Sequence, residues 1–88
     1  MRISEIYYDD HFERRYRRLS TRVKEVAKAK EALFRENPFD TQLKTHKLHG
    51  RDQSMWAFSV NYHYRIKFVF LTETEVLFLD IGTHDQVY

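Results

Sequence analysis

An α+β domain is predicted, with the order β-α-α-β-β-β and a helical hairpin packed on one face of a four-stranded, mainly antiparallel sheet. Three observations predict it. Apolar residues recur at the helical period between Asp9 and Glu36, Asn37-Pro38 stops that pattern, and from Trp56 onward the runs become short, extended and punctuated by turn residues. Residues 1–88 are expected to form one domain, because a chain of 88 residues can bury only one modest core.

Arg2 to Tyr8 alternates imperfectly, with Ile3, Ile6 and Tyr7 as inward candidates, and reads as a short strand. Asp9 or Asp10 then caps a helix, because a carboxylate oxygen can accept from the free amides of the first turn. Phe12, Tyr16 and Leu19 fall at i, i+4 and i+7, so one apolar stripe runs down that helix while the arginines project outward. Ser20 or Thr21 ends it and caps the next. From Arg22 to Glu36 the stripe is Val23, Val26, Ala27, Leu33 and Phe34; Lys30 interrupts it, with its stem along apolar surface and its ammonium in water.

Beyond the Pro38-Phe39-Asp40 turn, the run from Trp56 to Asn61 puts Trp56, Phe58 and Val60 on one face and Ala57, Ser59 and Asn61 on the other. Tyr64 to Leu71 is a second strand, Thr72 to Glu75 a polar connection of hairpin length, and Val76 to Ile81 the third strand. Gly82 marks where the backbone leaves the sheet, so His84 emerges on its rim. The helices cover one sheet face, which leaves the other as the candidate binding surface.

Composition narrows the function. A hydrophobic content of 42% with only one proline and two glycines argues for a packed interior over disorder. No cysteine is present, so disulfides and thiolate zinc sites are excluded. The amino terminus lacks an apolar targeting segment, and no apolar run approaches the ~20 residues that span a bilayer, so the expected location is cytoplasmic, with no membrane partner. Net charge is only +2, yet Lys44 to Arg51 carries Lys44, His46, Lys47, His49 and Arg51 without a carboxylate. Such a field suits a phosphate ligand or an acidic protein partner. The earlier arginines are diluted by Glu13, Glu25 and Glu31, and read equally well as a solvated face.

Of five histidines, His84 beside the end of a strand is the first candidate for proton transfer, since imidazole titrates near ~6.5. His46 and His49 are close in sequence, but on an extended segment i and i+3 face opposite ways, so no metal site is expected. His11 has no functional case, and His49 and His63 read as solvated or packing residues. Trp56 and the Tyr62/Tyr64 pair are either a base-stacking platform or packing of the sheet face.

The element order, together with Leu43-Lys44-Thr45-His46-Lys47-Leu48-His49-Gly50, Tyr64-Arg65-Ile66-Lys67-Phe68-Val69-Phe70 and Ile81-Gly82-Thr83-His84-Asp85-Gln86-Val87-Tyr88, resembles the RelE/ParE toxin superfamily over essentially the whole chain. The Gly-Thr-His ending and the histidine before a Leu-x-Gly look most like its YafQ branch. The resemblance implies a RelE-like fold and the toxin of a type II toxin-antitoxin system. RelE and YafQ members are ribosome-dependent endoribonucleases that cut mRNA; ParE members poison DNA gyrase; both are neutralised by a cognate antitoxin.

Carried over residue by residue, the resemblance puts His46 and His84 on the family histidines, Tyr88 on the terminal aromatic and Arg65 on the strand arginine. Ala57, Ser59 and Asn61 stand near the positions where RelE bears basic residues, and only His63 lies near the middle-hairpin histidine and aspartate of the YafQ branch. The expected catalytic set is therefore His84, His46, Arg65 and Tyr88, with Lys44, Lys47, Arg51 and His63 as RNA contacts. Metal-independent RNA cleavage needs a base, an acid and a cation at the phosphate, which two imidazoles and a guanidinium supply without a cofactor. Which histidine is the base stays open. Competing roles are a cross-strand pair of Arg65 with Asp80 and a frayed Tyr88. Implied partners are an antitoxin, the ribosome and mRNA, with DNA reached only through the antitoxin complex. The alternatives are a ParE-like gyrase inhibitor and a catalytically weakened homologue acting mainly in that complex.

Overall fold

A computed structural model describes residues 1–50 and 54–88. Strand β1 (Glu5–Tyr8) leads into helices α1 (Asp10–Arg17) and α2 (Thr21–Glu36); a 3₁₀ turn (Thr41–Leu43) precedes β2 (His46–Lys47), β3 (Met55–Ser59), β4 (Tyr64–Phe70), β5 (Glu75–Thr83) and α3 (His84–Val87). The sheet order is β1-β5-β4-β3-β2, with β1 parallel to β5 and every other pair antiparallel. The α+β class, the helical hairpin and the meander agree with the expected fold. Two elements are additional. The basic segment adds the two-residue strand β2 as a fifth, and a single turn of helix follows β5.

Ser20 caps α2 by accepting from the Val23 amide at 3.3 Å, as its side chain suits it to do. Asp9 holds the corresponding position before α1, but its carboxylate makes no capping bond. That helix start is secured by backbone instead, since the Asp9 amide donates to the Phe78 carbonyl on β5 at 3.0 Å. Phe34, at the end of the α2 stripe, is the hub of the core. Its ring lies 4.8 Å from Phe58, 4.9 Å from Phe68 and 5.5 Å from Phe78, so one helical side chain touches three strands. Trp56 packs edge-on to Phe39 and Phe70 at 5.5 and 5.7 Å, and so belongs to this helix-side layer.

The register of β5 is broken once. Lys67 pairs with Asp80 but Phe68 pairs with Phe78, which leaves Leu79 as the extra residue of a bulge. Beyond it, Ile81 takes the inward position opposite Ile66, and both are buried. Asp80 at the bulge is 6% exposed and is met from α1 by His11 Nε2 at 3.2 Å and Arg15 Nε at 3.5 Å. His11, for which no functional case was expected, thus has a structural contact.

Gly82 does not end the strand: it pairs with Arg65, and β5 runs on to Thr83. Its lack of a side chain answers to packing. A Cβ there would sit 2.5 Å from Arg15 Nη2 and 2.6 Å from Gln86 Oε1, so only glycine lets the guanidinium and the α3 side chain close over the strand.

Candidate functional site

The site forms on the sheet face opposite Phe34, where α3 folds back after Thr83. The Thr83 amide donates to Gln86 Oε1 at 2.9 Å, which fixes the entry to the turn. The Tyr88 amide then donates to the His84 carbonyl at 3.0 Å, and Val87 is buried beneath it. Tyr88 is therefore tied down.

Tyr88 stands between the two expected histidines. Its hydroxyl is 2.8 Å from His46 Nε2, and its ring lies 4.2 Å from the His84 ring. His46 Nδ1 is 2.9 Å from the Lys44 carbonyl. A carbonyl can only accept, so Nδ1 carries the proton; in the neutral ring Nε2 is then a lone pair that receives the tyrosine hydroxyl, a tautomer assigned from the bonding pattern. The local chain explains the geometry: Lys44 adopts φ 52°, a left-handed turn that aims its carbonyl back at the ring. Lys44 thus enters through its backbone.

Arg65 approaches Tyr88 from β4. One guanidinium nitrogen, Nη1, donates to the carbonyls of Asn61 (2.6 Å), Tyr62 (3.2 Å) and Tyr64 (3.0 Å), so the β3–β4 hairpin holds it in place. The expected competing pair with Asp80 does not form, because Asp80 is engaged by α1 and lies in register with Lys67. Burial raises the pKa of the Tyr88 hydroxyl, and the nearby Arg65 charge partly opposes that rise.

Two hollows flank Tyr88. One, of about 640 Å³, is lined by His46, Lys47, His49, Lys67, Val87 and Tyr88 among others. The other, of about 370 Å³, is lined by Tyr62, His63, Arg65, Thr83, His84 and Asp85. The structure thus gathers His46, His84, Arg65 and Tyr88 around one feature, with Lys47 and His63 on its two sides. Lys47 also holds its ammonium over Trp56 at 5.9 Å. Arg51 lies outside the described residues. Sequence reasoning missed Lys67; the alternation of β4, which puts it on the face of Arg65, was the available signal. Among the described residues no group of three His, Cys, Asp or Glu side chains is arranged to hold a metal, and no helix is long and apolar enough to cross a membrane.

The architecture is that of the RelE/ParE toxins. Among solved structures, the chain is similar to a YoeB/ParE toxin from Agrobacterium tumefaciens (14% identity, TM-score 0.76), with 91% of this chain and 98% of that one covered. It is similar to the E. coli DinJ–YafQ toxin-antitoxin complex (20% identity, TM-score 0.77), with coverage of 100% and 99%. It is also similar to the archaeal RelE–RelB complex of Pyrococcus horikoshii OT3 (11% identity, TM-score 0.72), with 94% and 96% covered. By sequence, no family model and no curated protein matches.

Proposed function

We propose that this chain is the toxin of a type II toxin-antitoxin system and cuts mRNA on the ribosome as a metal-independent endoribonuclease. One observation carries the reading: Tyr88 is held between His46 and His84, so an imidazole lines each of the two adjoining hollows that flank it, the second of them together with Arg65. The fold it shares with YafQ and RelE supports the toxin class, and the complexes those proteins form with DinJ and RelB support an antitoxin as partner.

In this reaction the 2′-oxygen of one ribose bonds to phosphorus while the bond to the 5′-oxygen of the next nucleotide breaks. A base takes the 2′-hydroxyl proton and an acid supplies one to the departing 5′-oxygen, leaving a 2′,3′-cyclic phosphate and a 5′-hydroxyl. The Nδ1–carbonyl bond leaves His46 Nε2 as the acceptor, and a substrate 2′-hydroxyl that takes the place of the Tyr88 hydroxyl there meets a base. His84, exposed at the hairpin side, is then the acid. Arg65 offers its remaining N–H groups to the phosphate oxygens, where charge-assisted bonds are strongest.

His46→Ala and His84→Ala are each expected to slow ribosome-dependent transcript cutting by ~10²–10⁴-fold. Unchanged cutting in both variants, or inhibition of gyrase supercoiling by a wild-type chain that leaves RNA intact, removes this function.

A further inference from the structure

Lys67 is a half-buried cation in the hollow that contains His46 and Tyr88. Strand register explains how it arrives there. His46, Ala57 and Lys67 are successive partners across β2, β3 and β4. Ala57 is 0% exposed and carries only a methyl group, so the two longer side chains on either side of it have the space above it. The next partner in the row is Asp80, the carboxylate expected to neutralise a lysine across a sheet. It does not do so: His11 and Arg15 of α1 hold that carboxylate.

Among the described residues Lys67 therefore takes part in no ion pair. An ammonium drawn partly out of water without a counter-ion is unfavourable, and an anion entering the hollow relieves it. Arg65 and Lys67 are two apart on β4, so both project from the open face, roughly 7 Å apart along the strand. Tyr88 separates the hollows that each of them lines.

We propose that Lys67 is a further catalytic residue. Its ammonium binds a non-bridging oxygen of the scissile phosphodiester beside His46 and stabilises the negative charge that grows there as the 2′-oxygen bonds to phosphorus. Arg65 holds the same phosphate from the other side of Tyr88. This role rests on the endoribonuclease reading above.

The test compares the purified wild-type chain with Lys67→Met, Lys67→Gln and Lys67→Arg for transcript cutting on ribosomes. Affinity for a short 2′-O-methyl oligoribonucleotide, which lacks the attacking hydroxyl, is measured over a range of salt. Lys67→Met and Lys67→Gln are expected to cut ~10²-fold more slowly, with melting temperatures close to wild type. Their plots of log affinity against log salt should be shallower by about 0.7. Lys67→Arg is expected to regain most of the rate. If wild type cuts and both neutral variants cut equally fast, the role of Lys67 is overturned and the proposed function stands. If wild type cuts no RNA, the function itself falls, and Lys67 with it.

Discussion

The Tyr88 hydroxyl donates to His46 Nε2 across 2.8 Å, joining the last residue of the helical turn after β5 to the short strand β2. The same side chain places its ring on His84, so hydroxyl and ring do separable things. Tyr88→Phe keeps the ring and loses one hydrogen bond, worth about 1 kcal/mol, which corresponds, for the proposed nuclease, to roughly a fivefold slower cut. Tyr88→Ala also removes the wall between the hollows and is expected to lose more. Single-turnover cleavage rates of the two variants separate these contributions.

Phe34 is fully buried against three phenylalanines from three strands. Phe34→Ala leaves a cavity that neighbouring rings cannot fill and is expected to destabilise the fold by about 3–5 kcal/mol. Phe34→Leu, which restores much of the volume, should recover over half of that. Chemical denaturation of both variants measures it.

At Gly82, an added methyl meets the Arg15 guanidinium and the Gln86 side chain. Gly82→Ala therefore pushes Arg15 away from Asp80 and from the Ile81 carbonyl it bonds at 3.3 Å, at a cost of about 1–3 kcal/mol. Because Gln86 also holds the entry to α3, the substitution should slow cleavage as well as lower the melting temperature.

Asp80→Ala removes the carboxylate that Arg15 and His11 approach. The remaining guanidinium is half-buried without its partner, for which a loss of about 1–3 kcal/mol is expected in the unfolding free energy. If Asp80 instead served Lys67, the same variant would strengthen binding of the non-cleavable oligoribonucleotide; an unchanged affinity supports the pairing with α1.

Tyr8 gives a pH signature remote from the site. Its hydroxyl lies 2.6 Å from Glu31, and burial first, then that carboxylate, pushes its pKa up to about 12 from 10.0. The folded state therefore holds the proton more tightly than the unfolded chain. The resulting stability is fully present below pH 10 and is lost as the pH rises through 12. Tyr8→Phe should show a shallower fall in melting temperature over that window than wild type.

The helical hairpin and the meander were readable because their signals are local. Phe12 with Tyr16, and Val23 through Phe34, repeat at the helical period, while Trp56, Phe58 and Val60 alternate. What escaped reading depends on pairing between distant segments. The bulge at Leu79 shifts β5 by one residue, and nothing in Leu77-Phe78-Leu79-Asp80 announces it. Strand β2 is too short to show any period and exists only because β3 offers an edge. Lys67 looked like one polar residue of a strand; its position beside His46 depends on the methyl group of Ala57 between them. Gly82 was read as a break because glycine usually punctuates, whereas here it makes room for Arg15.

The side-by-side pairing of β1 with β5 bears on how the molecule comes into being. Ser4 bonds to Thr74, a partner 70 positions downstream, and Glu5 through Tyr8 wait for the same late segment. Contacts so remote in sequence are slow to form, because a long loop must close before they repay its entropy. During synthesis the early helices can appear first, but β1 stays unpartnered until β5 has left the ribosome. The histidine and tyrosine that follow β5 come later still, so the cluster around Tyr88 can be assembled only after β5 has been made.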